Sequence, residues 1–211
     1  IVYKRATSNL KRCVALGGAK NHLIVLPDAD LEMTATNVVD SMAGCAGQRC
    51  MAASVMVGVD KVDHIVDRMV EYAKTLIPGE NLGSVISAAA KERIEGYIDQ
   101  AEKDGAKILI DGRGATVAGK EGGYYVGPTI LDYVTTDMSV AREEIFGPVI
   151  SIIRAKDVAE ALEIENGSNY GNAAAVFTQS GKMAKEIMDK ASAGMIGVNI
   201  GVPVPREPFS F

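Results

Sequence analysis

Continuous apolar runs that alternate with amphipathic stretches at helical spacing constrain this chain more than any other feature of its sequence. Residues 22–27 read as a strand, and Asp30 then caps an amphipathic run that ends near Gly44. Residues 53–59 form a second apolar run. Asp60 opens the next helical pattern, in which Val62, Ile65, Met69, Ala73 and Leu76 recur until Pro78 and Gly79 end it. Ser87 caps a further helix through Asp104, Gly105 stands where glycine commonly closes a helix, and 107–110 follows as a strand. The alternation then runs through strand 149–153, helix 157–165, strand 173–178, helix 180–191 and strand 195–200. A strand that is apolar at every position must be buried on both faces, and helices between parallel strands supply that cover. The predicted fold is therefore a three-layer α/β/α domain with a mainly parallel, doubly wound sheet. The glycine-rich stretch 115–124 carries little apolar content and reads as a surface excursion.

A length of 211 residues suits one full-sized domain covering 1–211. The formal net charge is -5, with acidic and basic residues interleaved, so no basic stripe is present to hold a nucleic acid backbone. Every apolar stretch is too short to span a bilayer, and no cleavable signal is visible. Ile1 is not an initiator Met, and the expectation is a piece of a longer protein. The chain has three cysteines, an odd number in a domain too large to need disulfides, which points to a reducing compartment, cytoplasm or mitochondrial matrix.

Three segments carry chemistry. In Gly44-Cys45-Ala46-Gly47-Gln48-Arg49-Cys50-Met51-Ala52, a cysteine follows a helix, lies among small residues and adjoins a guanidinium. A neighbouring positive charge favours the reactive thiolate, and small neighbours admit a substrate. A lone cysteine is more often inert packing, and Cys13 and Cys45 keep that reading. His22 and His64 form no ligand pair with the cysteines, so no metal site is expected; both histidines read as structural or solvated. The second segment is Arg142-Glu143-Glu144-Ile145-Phe146-Gly147-Pro148, just ahead of a strand, and the third is the turn Ala15-Leu16-Gly17-Gly18-Ala19-Lys20-Asn21. Each alone reads as a charged or glycine turn.

In this order and at these separations, the three segments resemble the aldehyde dehydrogenase superfamily over essentially the whole chain. Pro27-Asp28-Ala29-Asp30, Gly127-Pro128-Thr129 and residues 170–178 and 194–199 add to the likeness. The resemblance implies Cys50 as the nucleophile and Glu144 as the carboxylate that holds the nicotinamide ribose of NAD. It makes Phe146 a packing surface beside the ring and gives the Cys50 amide a part in holding the oxyanion. It also implies a cofactor-binding half upstream, an oligomerising tail downstream and a homo-oligomeric full-length protein.

One departure is informative. Hydrolytic members of the superfamily carry a glutamate directly before the Leu-Gly-Gly turn, whereas this chain has Ala15. A methyl group cannot activate water, so the resemblance implies an acyl-enzyme that waits for the thiol of coenzyme A. With Arg before the nucleophile and the Pro-rich stretch 203–211, the sequence is similar to the methylmalonate-semialdehyde dehydrogenase subfamily. Members of that subfamily convert malonate and methylmalonate semialdehyde to acetyl or propionyl coenzyme A with loss of carbon dioxide. Arg49, and more weakly Arg206, then become candidates to hold the substrate carboxylate, because a guanidinium binds a carboxylate in a planar fork. Two alternatives stay open: a hydrolytic enzyme whose base lies elsewhere, and a catalytically silent relative used as a binding module.

Overall fold

The structure, a computed structural model, describes residues 1–203. In chain order the elements are α1 (Val2–Thr7), β1 (Asn21–Val25), α2 (Leu31–Ala43), a 3-10 turn (Gly44–Gly47), β2 (Ala53–Val59), α3 (Asp63–Ala73) and α4 (Ala88–Lys103). There follow β3 (Lys107–Ile110), β4 (Thr129–Asp132), α5 (Ser139–Arg142), β5 (Val149–Ala155), α6 (Val158–Asn166), β6 (Ala173–Phe177), α7 (Gly181–Lys190) and β7 (Met195–Val198). The strands form one seven-stranded sheet in the order β3-β4-β5-β2-β1-β6-β7. All neighbouring pairs are parallel except β3 with β4 at one edge.

The chain leaves β1 in one direction through α2 to β2, and later crosses back from β5 through α6 to β6. Right-handed crossovers in opposite directions put α2 and α3 on one face and α6 and α7 on the other. That is the three-layer arrangement expected from the apolar runs. Central strands β1 and β6 are buried at every position. Their side chains pack with Met42 of α2 and Ile65 and Met69 of α3 into a continuous core.

Four helix starts are capped, two of them, at Asp30 and Ser87, as the sequence indicates. Asp30, Ser87, Asp157 and Ser180 each accept a hydrogen bond from the amide three residues on, at 2.9, 3.1, 2.9 and 3.3 Å. Asp60 does not open a helix. Its amide still donates to the Ala155 carbonyl at 2.8 Å, extending the pairing of β2 with β5, and its φ of 53° makes a left-handed turn; α3 begins only at Asp63. The excursion 115–124 folds back on its own neighbourhood, with the Val85 amide donating to the Tyr124 carbonyl at 2.7 Å and Lys120 Nζ donating to the Gly79 carbonyl at 2.9 Å. Among the described residues, no helix is long and apolar enough to cross a membrane.

The parallel strands give the molecule two distinct ends. The turn 15–20 precedes β1, Cys50 precedes β2, 143–148 precede β5 and Asn172 precedes β6, so all four loops meet at the amino ends of the strands. The opposite end is closed by a polar cluster, in which Asp28 accepts from the Thr178 hydroxyl at 2.8 Å and the Thr178 amide donates to Asn199 at 3.0 Å.

Candidate active site

Cys50 stands on a sharply bent loop. Cys45, Ala46 and Gly47 all take positive φ, at 53°, 53° and 70°, so the chain turns abruptly out of α2 before entering β2. For Cys45 and Ala46 this is backbone strain of a kind that persists only where the surroundings enforce it. At Gly47 the reason for glycine is visible, because a Cβ there would run into the Gly147 carbonyl. The nucleophile loop and the loop before β5 thus touch backbone to backbone. Gln48 latches the loop on its other side: its Oε1 accepts from the Ile86 amide at 2.9 Å and its Nε2 donates to the Ser84 carbonyl at 3.3 Å.

The contact at Gly47 opens a narrow cleft onto which Cys50, Arg49, Ala19, Glu144 and Phe146 all face. Four of the five residues singled out from the sequence are therefore brought together; Arg206 lies outside the described residues. Cys50 and Phe146 are exposed, and Phe146 has a φ of 56°, a left-handed conformation that is rare for an aromatic residue. Glu144 is half-buried. Its Oε1 accepts from the Ala19 amide at 3.2 Å, and among the described residues no donor reaches Oε2. A Cβ on Gly18 would lie 3.3 Å from that free oxygen, so the absent side chain keeps the approach open. Glu143 points elsewhere: it accepts from the Tyr97 hydroxyl of α4 at 2.6 Å, which pushes the phenol up to about 12. Arg93 of α4 donates to the Ile145 carbonyl and anchors the same segment from below.

Arg49 is placed differently from the sequence expectation. Its Nη2 donates to the carbonyls of Ser41 at 3.1 Å and Asp40 at 3.4 Å, so the guanidinium caps the carboxyl end of α2. The last carbonyls of a helix have no partners within the helix and attract a cation. That task competes with any contact between this guanidinium and the thiol or a substrate.

Several residues of the site carried no signal in the sequence. Lys20 is fully buried beneath the glycine turn, and its ammonium has no hydrogen-bond partner among the described residues. Burial lowers its pKa to about 7, against the raising influence of Glu144 and then Glu143. His22 is not at a partly exposed position but buried. Desolvation pulls its pKa down to about 4, and the ring Nδ1 lies 2.9 Å from the Lys20 carbonyl. Asn21 and Asn172 both reach the Cys50 carbonyl, at 2.9 and 3.0 Å.

A cysteine and a carboxylate face one cleft at the amino edge of a doubly wound sheet, and the chain belongs to the aldehyde dehydrogenase family, whose profile matches residues 1–211. Among its curated relatives, malonate-semialdehyde dehydrogenase 2 of Bacillus thuringiensis (strain Al Hakam) is 46% identical over the whole chain, which covers 44% of that protein. The crystal structure of methylmalonate-semialdehyde dehydrogenase from Oceanimonas doudoroffii superimposes with a TM-score of 0.93 at 40% identity, covering 97% of this chain and 43% of that one. Betaine aldehyde dehydrogenase of Staphylococcus aureus, solved in complex with NAD+, gives a TM-score of 0.90 at 28% identity, covering 96% of this chain and 42% of that one. The chain thus spans less than half the length of the relatives that it matches.

Proposed function

We propose that the protein containing this chain is an NAD-dependent, coenzyme A-acylating semialdehyde dehydrogenase acting on malonate or methylmalonate semialdehyde, with Cys50 as its nucleophile. The observation that carries the reading is the shared cleft, in which an exposed thiol stands opposite a carboxylate with one oxygen free. Relatives named for malonate and methylmalonate semialdehyde support the substrate class.

The Cys50 thiolate adds to the aldehyde carbon, and the Cys50 amide is a candidate donor to the oxygen that becomes negative. NAD, when bound, supplies the hydride acceptor. The residues present fit that cofactor: among the described residues no donor occupies Glu144 Oε2, which can accept from a ribose hydroxyl, Gly18 leaves room for it, and Phe146 lines the same cleft as Cys50. Loss of hydride from the carbon attached to Cys50 leaves a thioester. The substrate's carboxylate leaves as carbon dioxide, with a proton from solvent taking its place on the α-carbon, and the thiol of coenzyme A, giving up its proton, displaces Cys50 as thiolate to yield acetyl or propionyl coenzyme A. Water is disfavoured as the final nucleophile because no Asp or Glu occurs at Ala15 or anywhere in residues 1–27. Arg49 is proposed as one holder of the substrate carboxylate, through donors other than the Nη2 that caps α2 or by leaving that cap. Arg206 is proposed as a second, and the full-length protein as a homo-oligomer.

The test is chemical. Limited alkylation followed by mass spectrometry is expected to modify Cys50 ahead of Cys45 and Cys13, and Cys50→Ala in the full-length protein is expected to abolish NADH formation. Modification of Cys45 or Cys13 first, or NADH formation by the Cys50→Ala protein, removes the assignment.

A further inference from the structure

We propose that Asn21 and Asn172 are the positioning residues of the nucleophile, a pair of amides that together fix the Cys50 carbonyl and so aim its thiol; the proposal rests on the reading of Cys50 as the nucleophile. Asn21 opens β1 and Asn172 immediately precedes β6, while Cys50 lies just ahead of β2. These three strands are neighbours in the order β2-β1-β6, so each contributes one residue to the same point at the amino edge of the sheet.

The hydrogen bonding is complete in a way that a solvated loop does not need. Asn21 Nδ2 donates to the Cys50 carbonyl at 2.9 Å and to the Ala52 carbonyl at 2.7 Å, using both of its hydrogens. Asn172 Nδ2 donates to the same Cys50 carbonyl at 3.0 Å and approaches Asn21 Oδ1 at 3.4 Å, tying the two amides to each other. Both lone pairs of the Cys50 carbonyl are therefore engaged. Asn21 is 1% exposed and belongs to the rigid sheet, whereas Cys50 is exposed and follows three residues of positive φ. Holding the carbonyl from the sheet side sets the Cys50–Met51 peptide plane, and with it the direction in which Cα carries the thiol into the cleft. Both amides bond the backbone carbonyl of Cys50, so they act through Cys50. The rate of thiol addition depends steeply on the placement of the attacking atom, and a misplacement of about 1 Å can cost on the order of 100-fold.

Asn172 is the safer position to vary, because it is half-buried at the rim. Asn172→Leu removes the donor at similar volume, and Asn172→Gln retains one. Two measurements report on the pair: amide hydrogen exchange at residues 48–53 of this chain, and, in the full-length protein, the first-turnover rate of NADH formation beside the dissociation constant for NAD. Asn172→Leu is expected to speed exchange at Met51 and Ala52 by about ten-fold, with exchange inside β1, β2 and β6 unchanged. First turnover is expected to fall about 10- to 100-fold with NAD affinity unaltered, and Asn172→Gln to recover part of the loss. Asn21→Asp, nearly isosteric but without the donor, is expected to act in the same direction; should it fail to fold, Asn172 decides alone. Unchanged exchange and unchanged first turnover in Asn172→Leu overturn the proposal, as does a uniform rise of exchange across the whole sheet, which is what a merely structural role produces. A Cys50→Ala protein that still forms NADH overturns the nucleophile reading itself, whereas an inert Cys50→Ala protein beside an unaffected Asn172→Leu protein overturns only the pair.

Discussion

Lys20 carries a charge into a place where none of the described residues bonds to it, and its cost can be read from stability against pH. Its folded pKa, about 7, lies below the ordinary lysine value of 10.5 because burial penalises the ammonium. Between those values the unfolded chain holds a proton that the folded chain has shed, so this group makes stability rise with pH across the window. Below about 7 both states are charged and the full penalty, about 5 kcal/mol for such a shift, is present. Lys20→Met is expected to raise the unfolding free energy most near pH 6 and progressively less towards pH 10, by urea titration. A constant difference across that range would show that the lysine reaches solvent. His22 acts in a separate window: its pKa of about 4 lies below the ordinary 6.5, so its contribution is lost as pH falls from 6.5 to 4. Neither effect was legible in the sequence, where Lys20 and His22 bound a turn and a strand and burial has no local signature. That Cys50, Glu144 and Phe146 belong to one candidate site could be read because an ordered set of segments carries them, and the fold brings them to one cleft. Arg49 was legible as a charge beside a thiol, but its geometry was not, since nothing local says that the end of α2 lies within its reach. Arg49→Leu in the full-length protein separates its two tasks. If the guanidinium holds the substrate carboxylate, KM for malonate semialdehyde is expected to rise about 10- to 100-fold more than KM for propanal. Equal changes for both aldehydes would leave Arg49 a helix cap alone.

At the scale of elements, the sequence reading succeeded where an element buries a continuous or periodic apolar face and failed where it does not. The run 53–59 coincides with β2, the caps read at Asp30 and Ser87 stand, and the helices read from Asp157 and Ser180 begin just after those residues, which cap them. α1 buries no side chain and so shows no periodicity, and β4 is four residues long with polar ends. The buried end of β4, Asp132, is tolerated because Arg154 of β5 pairs with both of its oxygens at 2.9 and 2.7 Å, a partnership between residues distant in sequence. Two glycines show how the same residue serves different ends. Gly96 lies exposed inside α4 with open space around it, so Gly96→Ala is expected to stabilise the chain by about 0.5 to 1 kcal/mol through helix propensity. Gly47→Ala meets the Gly147 carbonyl and a φ of 70°, and is expected to cost about 2 kcal/mol or more while forcing the nucleophile loop away from the loop before β5. Urea midpoints of the two variants, measured side by side, check the pair. A neutral Gly47→Ala would mean that the two loops do not touch in solution.

At the scale of the whole molecule, the sheet's two ends have divided roles: the carboxyl ends of the strands are tied off by Asp28, Thr178 and Asn199, while the amino ends gather the thiol, the free carboxylate oxygen and the paired asparagines. This arrangement decides what can become of an acyl group on Cys50. The carboxylates at this edge are engaged or committed: Glu143 accepts from Tyr97, and Glu144 accepts from Ala19 and faces the proposed ribose. The turn 15–20 before β1 holds no Asp or Glu, only Ala15, Leu16, two glycines, Ala19 and the buried Lys20, so a water beside the thioester finds no carboxylate base on this turn. A positioned general base is commonly worth about 100- to 10,000-fold, and its absence should leave hydrolysis slow by a comparable factor. In the full-length protein supplied with NAD and malonate semialdehyde but no coenzyme A, one rapid burst of NADH per active site is therefore expected, followed by a much slower steady rate. Coenzyme A should then restore rapid turnover, and Cys50 should be protected from alkylation during the slow phase because it carries the acyl group. Sustained full-speed turnover without coenzyme A, with a free carboxylic acid as product, would show that a base from outside residues 1–203 reaches the thioester and that the enzyme is hydrolytic.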